Sequence, residues 1–136
     1  MQITKLLAAA LLIPLLLACF AVREGRQRAI TAPSSLGRQE AHDRALQWFN
    51  TAGYTVRQED VRQSYLEASK IRDSFSGTRN EDVLSVFIEE QSSGTQIRVV
   101  GHTYLLDRGS RREIDLSLEA GRDAERLMGA LRSRPF

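Results

Sequence analysis

The chain has one cysteine, Cys19, two histidines, three prolines, and lysine only at Lys5 and Lys70. A lone thiol excludes any internal disulfide and any thiolate metal cluster. The spacings that mark common catalytic and metal sites (HExxH, CxxC, GxSxG and the phosphate loop) are all missing. The apolar run from Leu6 to Ala18 holds no charged residue and falls short of the about 20 residues that a spanning helix needs. Net charge is only +2 in 136 residues, and Lys5 supplies part of it. A nucleic-acid binder would show a concentrated basic face, so nucleic acid is not expected as a partner. There is no internal repeat and no low-complexity segment. A unit of this size, without staples, must be held by its apolar core.

What the sequence does have stands at its front, MQITKLLAAALLIPLLLAC. A basic head at Lys5, a leucine–alanine middle and a small residue before a cut have the layout of a secretory signal. Pro14 would disturb a permanent spanning helix. Leu16-Leu17-Ala18-Cys19 resembles the lipobox of bacterial lipoproteins, with an aliphatic residue at −3, a small one at −1, then cysteine. The resemblance implies cleavage between Ala18 and Cys19, a diacylglycerol on the Cys19 thiol and often acylation of the new amino group. Two or three acyl chains, at about 0.8 kcal/mol per buried methylene, anchor a protein stably to a bilayer. Phe20 follows the cysteine where an aspartate would favour the inner membrane. The resemblance therefore implies the outer membrane, with the domain facing the periplasm.

The expected organisation is a signal peptide over 1–18, a lipidated tether over 19–33 and one α+β domain over 34–136. The tether holds Arg23, Arg26 and Arg28 against Glu24 and shows no sustained apolar period. Ala41, Ala45, Phe49 and Ala52 recur at helical spacing, which predicts a helix over 38–52 capped by Ser34 or Ser35 and ended by Gly53. Alternation predicts strands over 54–59, 65–72, 81–91 and 95–104, the last two joined as a hairpin. Residues 105–114 read as a polar loop. Leu116, Ala120, Ala124, Leu127, Met128 and Leu131 mark a second helix, with Asp115 or Ser117 as its cap. Strands grouped between helices predict a four-stranded antiparallel sheet with both helices on one face.

The run ALQWFNTAGYTVRQEDVRQSYLEASK, Ala45 to Lys70, resembles small α+β envelope lipoprotein domains. The helix-grip modules of the outer-membrane assembly lipoprotein BamC are the nearest named comparison. The resemblance implies an accessory, binding-type role.

No catalytic group, cofactor or metal is expected. His42 and Asp43 are adjacent on a helix and point apart, so His42 reads as solvent-facing. Asp82, Glu89 and Glu90 read as solvated strand carboxylates. His102 reads as a half-exposed strand residue that shares a face with Val100 and Tyr104. Arg108, Arg111 and Arg112 form a small basic loop suited to an anionic partner or simply to water. Trp48 serves the core or, at the edge of its stripe, a partner. Trp48, His102, Tyr104, Arg108, Arg111 and Arg112 are thus the candidate partner contacts. The expected function is a lipid-anchored envelope protein that binds a protein or an envelope component. A small-ligand carrier, with its pocket between sheet and helices, is the alternative, and a hydrolase is the least supported reading.

Overall fold

The computed structural model describes residues 23–24, 27–73 and 77–133. The expected signal peptide, Ala18, Cys19 and part of the expected tether lie outside the described residues. In chain order the elements are β1 (Arg23–Glu24), β2 (Gln27–Ser34), α1 (Arg38–Ala52), β3 (Thr55–Asp60), β4 (Tyr65–Asp73), β5 (Arg79–Gln91), β6 (Gly94–Asp107), β7 (Ser110–Ile114) and α2 (Leu118–Arg132). The protein is α+β, and the described residues form two helices and one antiparallel sheet. Among the described residues no helix is long and apolar enough to cross a membrane.

The sheet runs β1-β2-β6-β5-β4-β3, and β7 pairs with β6 beside β2. The first half of β6 faces β2, from Ser34↔Thr95 to Arg28↔Gly101. Its second half faces β7, from Thr103↔Ile114 to Asp107↔Ser110. The four expected strands are present as β3 to β6, but the sheet is wider than four. Residues 27–33, expected in the tether, form β2 and belong to the folded domain. Their pattern escapes a search for sustained alternation because it is short: Ile30 and Ala32 pack on the core while Ala29 and Thr31 face the other way. The expected loop over 105–114 instead completes β6, turns, and returns as β7. That turn puts Arg108 (φ 48°) and Gly109 (φ 80°) both in the left-handed region, as a two-residue hairpin loop requires.

Side-chain alternation divides the sheet into two unlike faces. Leu66, Ala68, Leu84, Val86, Ile88, Ile97 and Val99 point to one side, all buried. Both helices cover that side, and Ala41, Ala45, Phe49, Ala124, Leu127 and Leu131 complete a single core. Gly101 lies under the segment leading into α2, where an added Cβ would stand 3.1 Å from Leu116. The α1 boundaries follow expectation, and Gly53 takes the left-handed position (φ 84°) while Tyr54 N–H bonds to Phe49 O at 2.9 Å. Its N-cap is Gly37, with no side-chain bond. Ser34 Oγ and Ser35 Oγ donate instead to the last carbonyls of α2, on Leu131 and Arg132. The two serines tie the entry of one helix to the exit of the other.

His42 is buried, not solvent-facing: it is 2% exposed, because the inner stripe of α1 is broader than alanines alone suggest. Its Nε2 lies 2.8 Å from Glu59 Oε1, while its buried Nδ1 has no partner.

Candidate binding face

Among the described residues no helix covers the second face of the sheet. Antiparallel register sets its side chains in rows across the strands. One row runs Ala29, Val100, Ser85, Glu67, each residue paired to the next. These short side chains form the floor of an open trough of about 500 Å³, with Glu67 at one end. Thr31, Arg98, Phe87 and Tyr65 form the next row and one wall. On the opposite side stand Gln27 and His102.

The first wall is a stack. Tyr65 and Phe87 have centroids 4.9 Å apart, and the Arg98 guanidinium carbon lies 4.3 Å from the Phe87 centroid. Resting on the aromatic face holds the exposed Arg98 in place and leaves its N–H edges free to donate. Among the described residues no carboxylate lies within ion-pair distance of it. Burial, and then the neighbouring Glu67 carboxylate, push the Tyr65 hydroxyl above the usual tyrosine range, against a bond with Ser85 that pulls it down. The Tyr65 hydroxyl donates to Glu67 at 3.4 Å.

The second wall is also braced. His102 Nδ1 lies 3.0 Å from Glu113 Oε1, and the His102 ring stacks on Tyr104 at 6.1 Å. Arg111 covers Tyr104 at 3.6 Å and donates to Glu81 at 2.7 and 2.9 Å. Arg57 meets the same carboxylate at 3.9 Å. With Nδ1 held by Glu113, the other ring nitrogen of His102 is the one left for a ligand.

The expected contacts therefore separate. His102, Tyr104 and Arg111 come together on this face. Arg108 sits at the β6–β7 turn, and Arg112, one residue from Arg111 on β7, points to the other side of the sheet. Arg111 and Arg112 are strand residues, not loop residues. Trp48 belongs to the helical side, edge-on to Phe49 at 5.8 Å and against Tyr54 at 5.9 Å. It borders a smaller groove of about 340 Å³ with Lys70, Arg72, Asp123 and Arg126. Arg98, Phe87 and Tyr65 are not among the contacts expected from sequence, although the tight turn at Ser92-Ser93 fixes a register that sets Arg98 opposite Phe87.

A second polar cluster lies on the helical side. Asp82, expected as a solvated carboxylate, is 0% exposed. Its Oδ1 accepts from Thr103 Oγ1 at 2.8 Å and Ser117 Oγ at 2.9 Å, and its Oδ2 from Arg72 Nε at 2.9 Å. Arg72 Nη2 reaches Asp123 at 2.6 Å, and Tyr54 donates to the same oxygen at 2.7 Å. Ser117 is the N-cap of α2, accepting from Ala120 N–H at 3.0 Å. The carboxylates here are engaged by the protein's own donors, so this cluster is read as a structural clamp. Among the described residues no group of three or more acidic, histidine or cysteine side chains is placed to hold a metal ion.

Burial, then the bond to Asp123 and that residue's charge, push the Tyr54 hydroxyl well above the usual tyrosine range. A proton held more tightly in the folded state stabilises the fold below the unfolded pKa of about 10, and that contribution is lost as pH rises above it. Stability should therefore fall steeply above pH about 10. Tyr54→Phe should be less stable at neutral pH but show a shallower alkaline decline, measured by urea unfolding at a series of pH values.

No protein-family model matches the sequence, and no curated protein is detectably similar to it. Among solved structures the chain is similar to a DUF4468 family protein from Bacteroides ovatus, at 8% identity and a TM-score of 0.44, over 81% of this chain and 84% of that one.

Proposed function

We propose that this chain is a bacterial envelope lipoprotein, anchored through acylated Cys19 at the outer membrane, that binds an envelope component on the helix-free face of its sheet. The observation that carries the binding part is the division of labour between faces. One face is consumed by the core, while the other holds a trough where a guanidinium, an imidazole, hydroxyls and an amide converge. The lipobox carries the anchoring part. The carrier alternative asks for room between sheet and helices, and there the core side chains Phe49, Leu66, Leu84, Leu127 and Leu131 stand. His102 with Glu113 has the pairing that an acid–base reading asks for, but among the described residues no hydroxyl is hydrogen-bonded to His102. A binding role uses every group as it is found.

Anchoring is tested on the native protein. Mass spectrometry should show the mature chain starting at a modified Cys19, and Cys19→Ala should move it from the membrane to the soluble fraction. A bare thiol, or membrane retention of the alanine variant, would defeat the anchoring reading. Binding is tested in cells with a photo-cross-linker at Thr31, exposed beside the trough, and at Gln47, exposed on α1. Adducts should form from Thr31 and not from Gln47; equal yields at the two positions, or none, count against the binding face.

A further inference from the structure

We infer that the trough takes an acidic saccharide, with its carboxylate on Arg98. This rests on the reading of the helix-free face as a binding face and adds the chemical class of what it holds. The charge on offer is the first reason. Arg57 and Arg111 are committed to Glu81, whereas Arg98 has no acid partner among the described residues. One planar guanidinium, seated over the Phe87 ring, matches the two oxygens of one carboxylate. With Glu67 in the same trough, a monoanion suits the site better than a doubly charged phosphate.

The second reason is the kind of polar group supplied. Backbone N–H and C=O groups under the floor are spent in the ladders β2·β6, β5·β6 and β4·β5. An extended peptide, which is recognised largely through its own backbone, would find no free backbone groups on the floor itself; an open strand edge lies only at the rim, on the outer side of β2, where β1 pairs Gln27 and Arg28 alone among the described residues. The lining offers side-chain donors and acceptors instead: the Gln27 amide, the Thr31 hydroxyl, the His102 ring nitrogen and the Glu67 carboxylate. Such groups pair with hydroxyls, and the carbon atoms of Ala29 and Val100 between them suit the apolar face of a sugar ring. The volume of about 500 Å³ lies in the range of small-ligand sites and fits one or two rings.

The test uses the full chain in detergent and three probes: a uronic-acid disaccharide, its carboxyl-reduced neutral counterpart, and inorganic phosphate. Calorimetry gives affinity, and amide shifts of Ser85 and Val100 give location. The acidic disaccharide should saturate with shifts at both amides. The neutral counterpart should bind at least tenfold more weakly, and phosphate should not compete at equal concentration. Arg98→Gln should lower affinity for the acidic disaccharide at least tenfold with an unchanged melting temperature, while Arg108→Gln on the β6–β7 turn should leave affinity unchanged. Equal binding of the neutral sugar, competition by phosphate, binding that survives Arg98→Gln, or no saturation at all would each overturn the assignment. If sugars fail while Thr31 adducts still form in cells, the ligand class is wrong and the binding face stands. If both fail, the face itself is wrong.

Discussion

Asp82→Leu should lower unfolding stability by about 3 kcal/mol or more, because the change strands several donors at once. Thr103 and Ser117 lose their shared acceptor, and Arg72, mostly buried, keeps only Asp123. A buried hydroxyl without an acceptor costs about 1–3 kcal/mol. Removing one partner of a buried charge pair leaves the other charge poorly solvated. The double variant Asp82→Leu with Arg72→Met should sit closer to the wild type than the single change, since it removes the charge that would be stranded. Urea titration of the three proteins decides the matter. A loss below about 1 kcal/mol in the single variant would show that the clamp is dispensable.

The clamp explains how a chain without a disulfide fixes its last helix. Asp82 lies on a central strand, Thr103 on its neighbour, and Ser117 at the start of α2. One carboxylate thus joins two strands to the helix that follows them. Tyr54 and Asp123 extend the same chain of bonds to the end of α1. From sequence Asp82 reads as one more strand carboxylate, because its environment depends on which face of the strand is covered. Counting by twos from Leu84 places Asp82 on the helical face. What it meets there comes from residues up to 35 positions away in the chain.

The elements with strong periodicity were legible: both helices, the β5–β6 hairpin and the split between a core face and an open face. The additions at the β2 and β7 edge were not. β2 reads QRAITAPS, where arginine and proline mask a strand only half committed to the core. β7 reads SRREI, held by pairing to β6 and by a turn whose glycine follows arginine in place of asparagine or aspartate. The trough was illegible for a related reason. Its floor is a row across four strands, Ala29, Val100, Ser85 and Glu67, and one of those strands was read as tether. With that strand unassigned, Arg98 shares a face with Val100, His102 and Tyr104, but Gln27, Ala29 and Thr31, which complete the trough, are missing from it. Gly53 and Ser117, by contrast, act through the local backbone, and both were readable from sequence.

Phe49→Ala tests where the fold keeps its stability. Phe49 is 0% exposed and touches both Trp48 and Tyr54, with centroids 5.8 and 5.7 Å away. Emptying such a site removes the transfer energy of the ring and leaves a cavity that its neighbours fill poorly, at a cost of about 3–5 kcal/mol. Domains of this size are stable by roughly 5–15 kcal/mol in all. The variant should therefore melt far below the wild type in a calorimetric scan, and it should be prone to proteolysis near 37 °C. Because Phe49 lies on the helical side, the trough lining should not change while the protein stays folded. At low temperature Phe49→Ala should then show the same amide shifts at Ser85 and Val100 with the acidic disaccharide, and similar affinity. Arg98→Gln should do the reverse, keeping the melting temperature and losing the ligand. If instead Phe49→Ala abolished binding while still folded, the two faces would be coupled, and the separation of core from binding surface would be wrong.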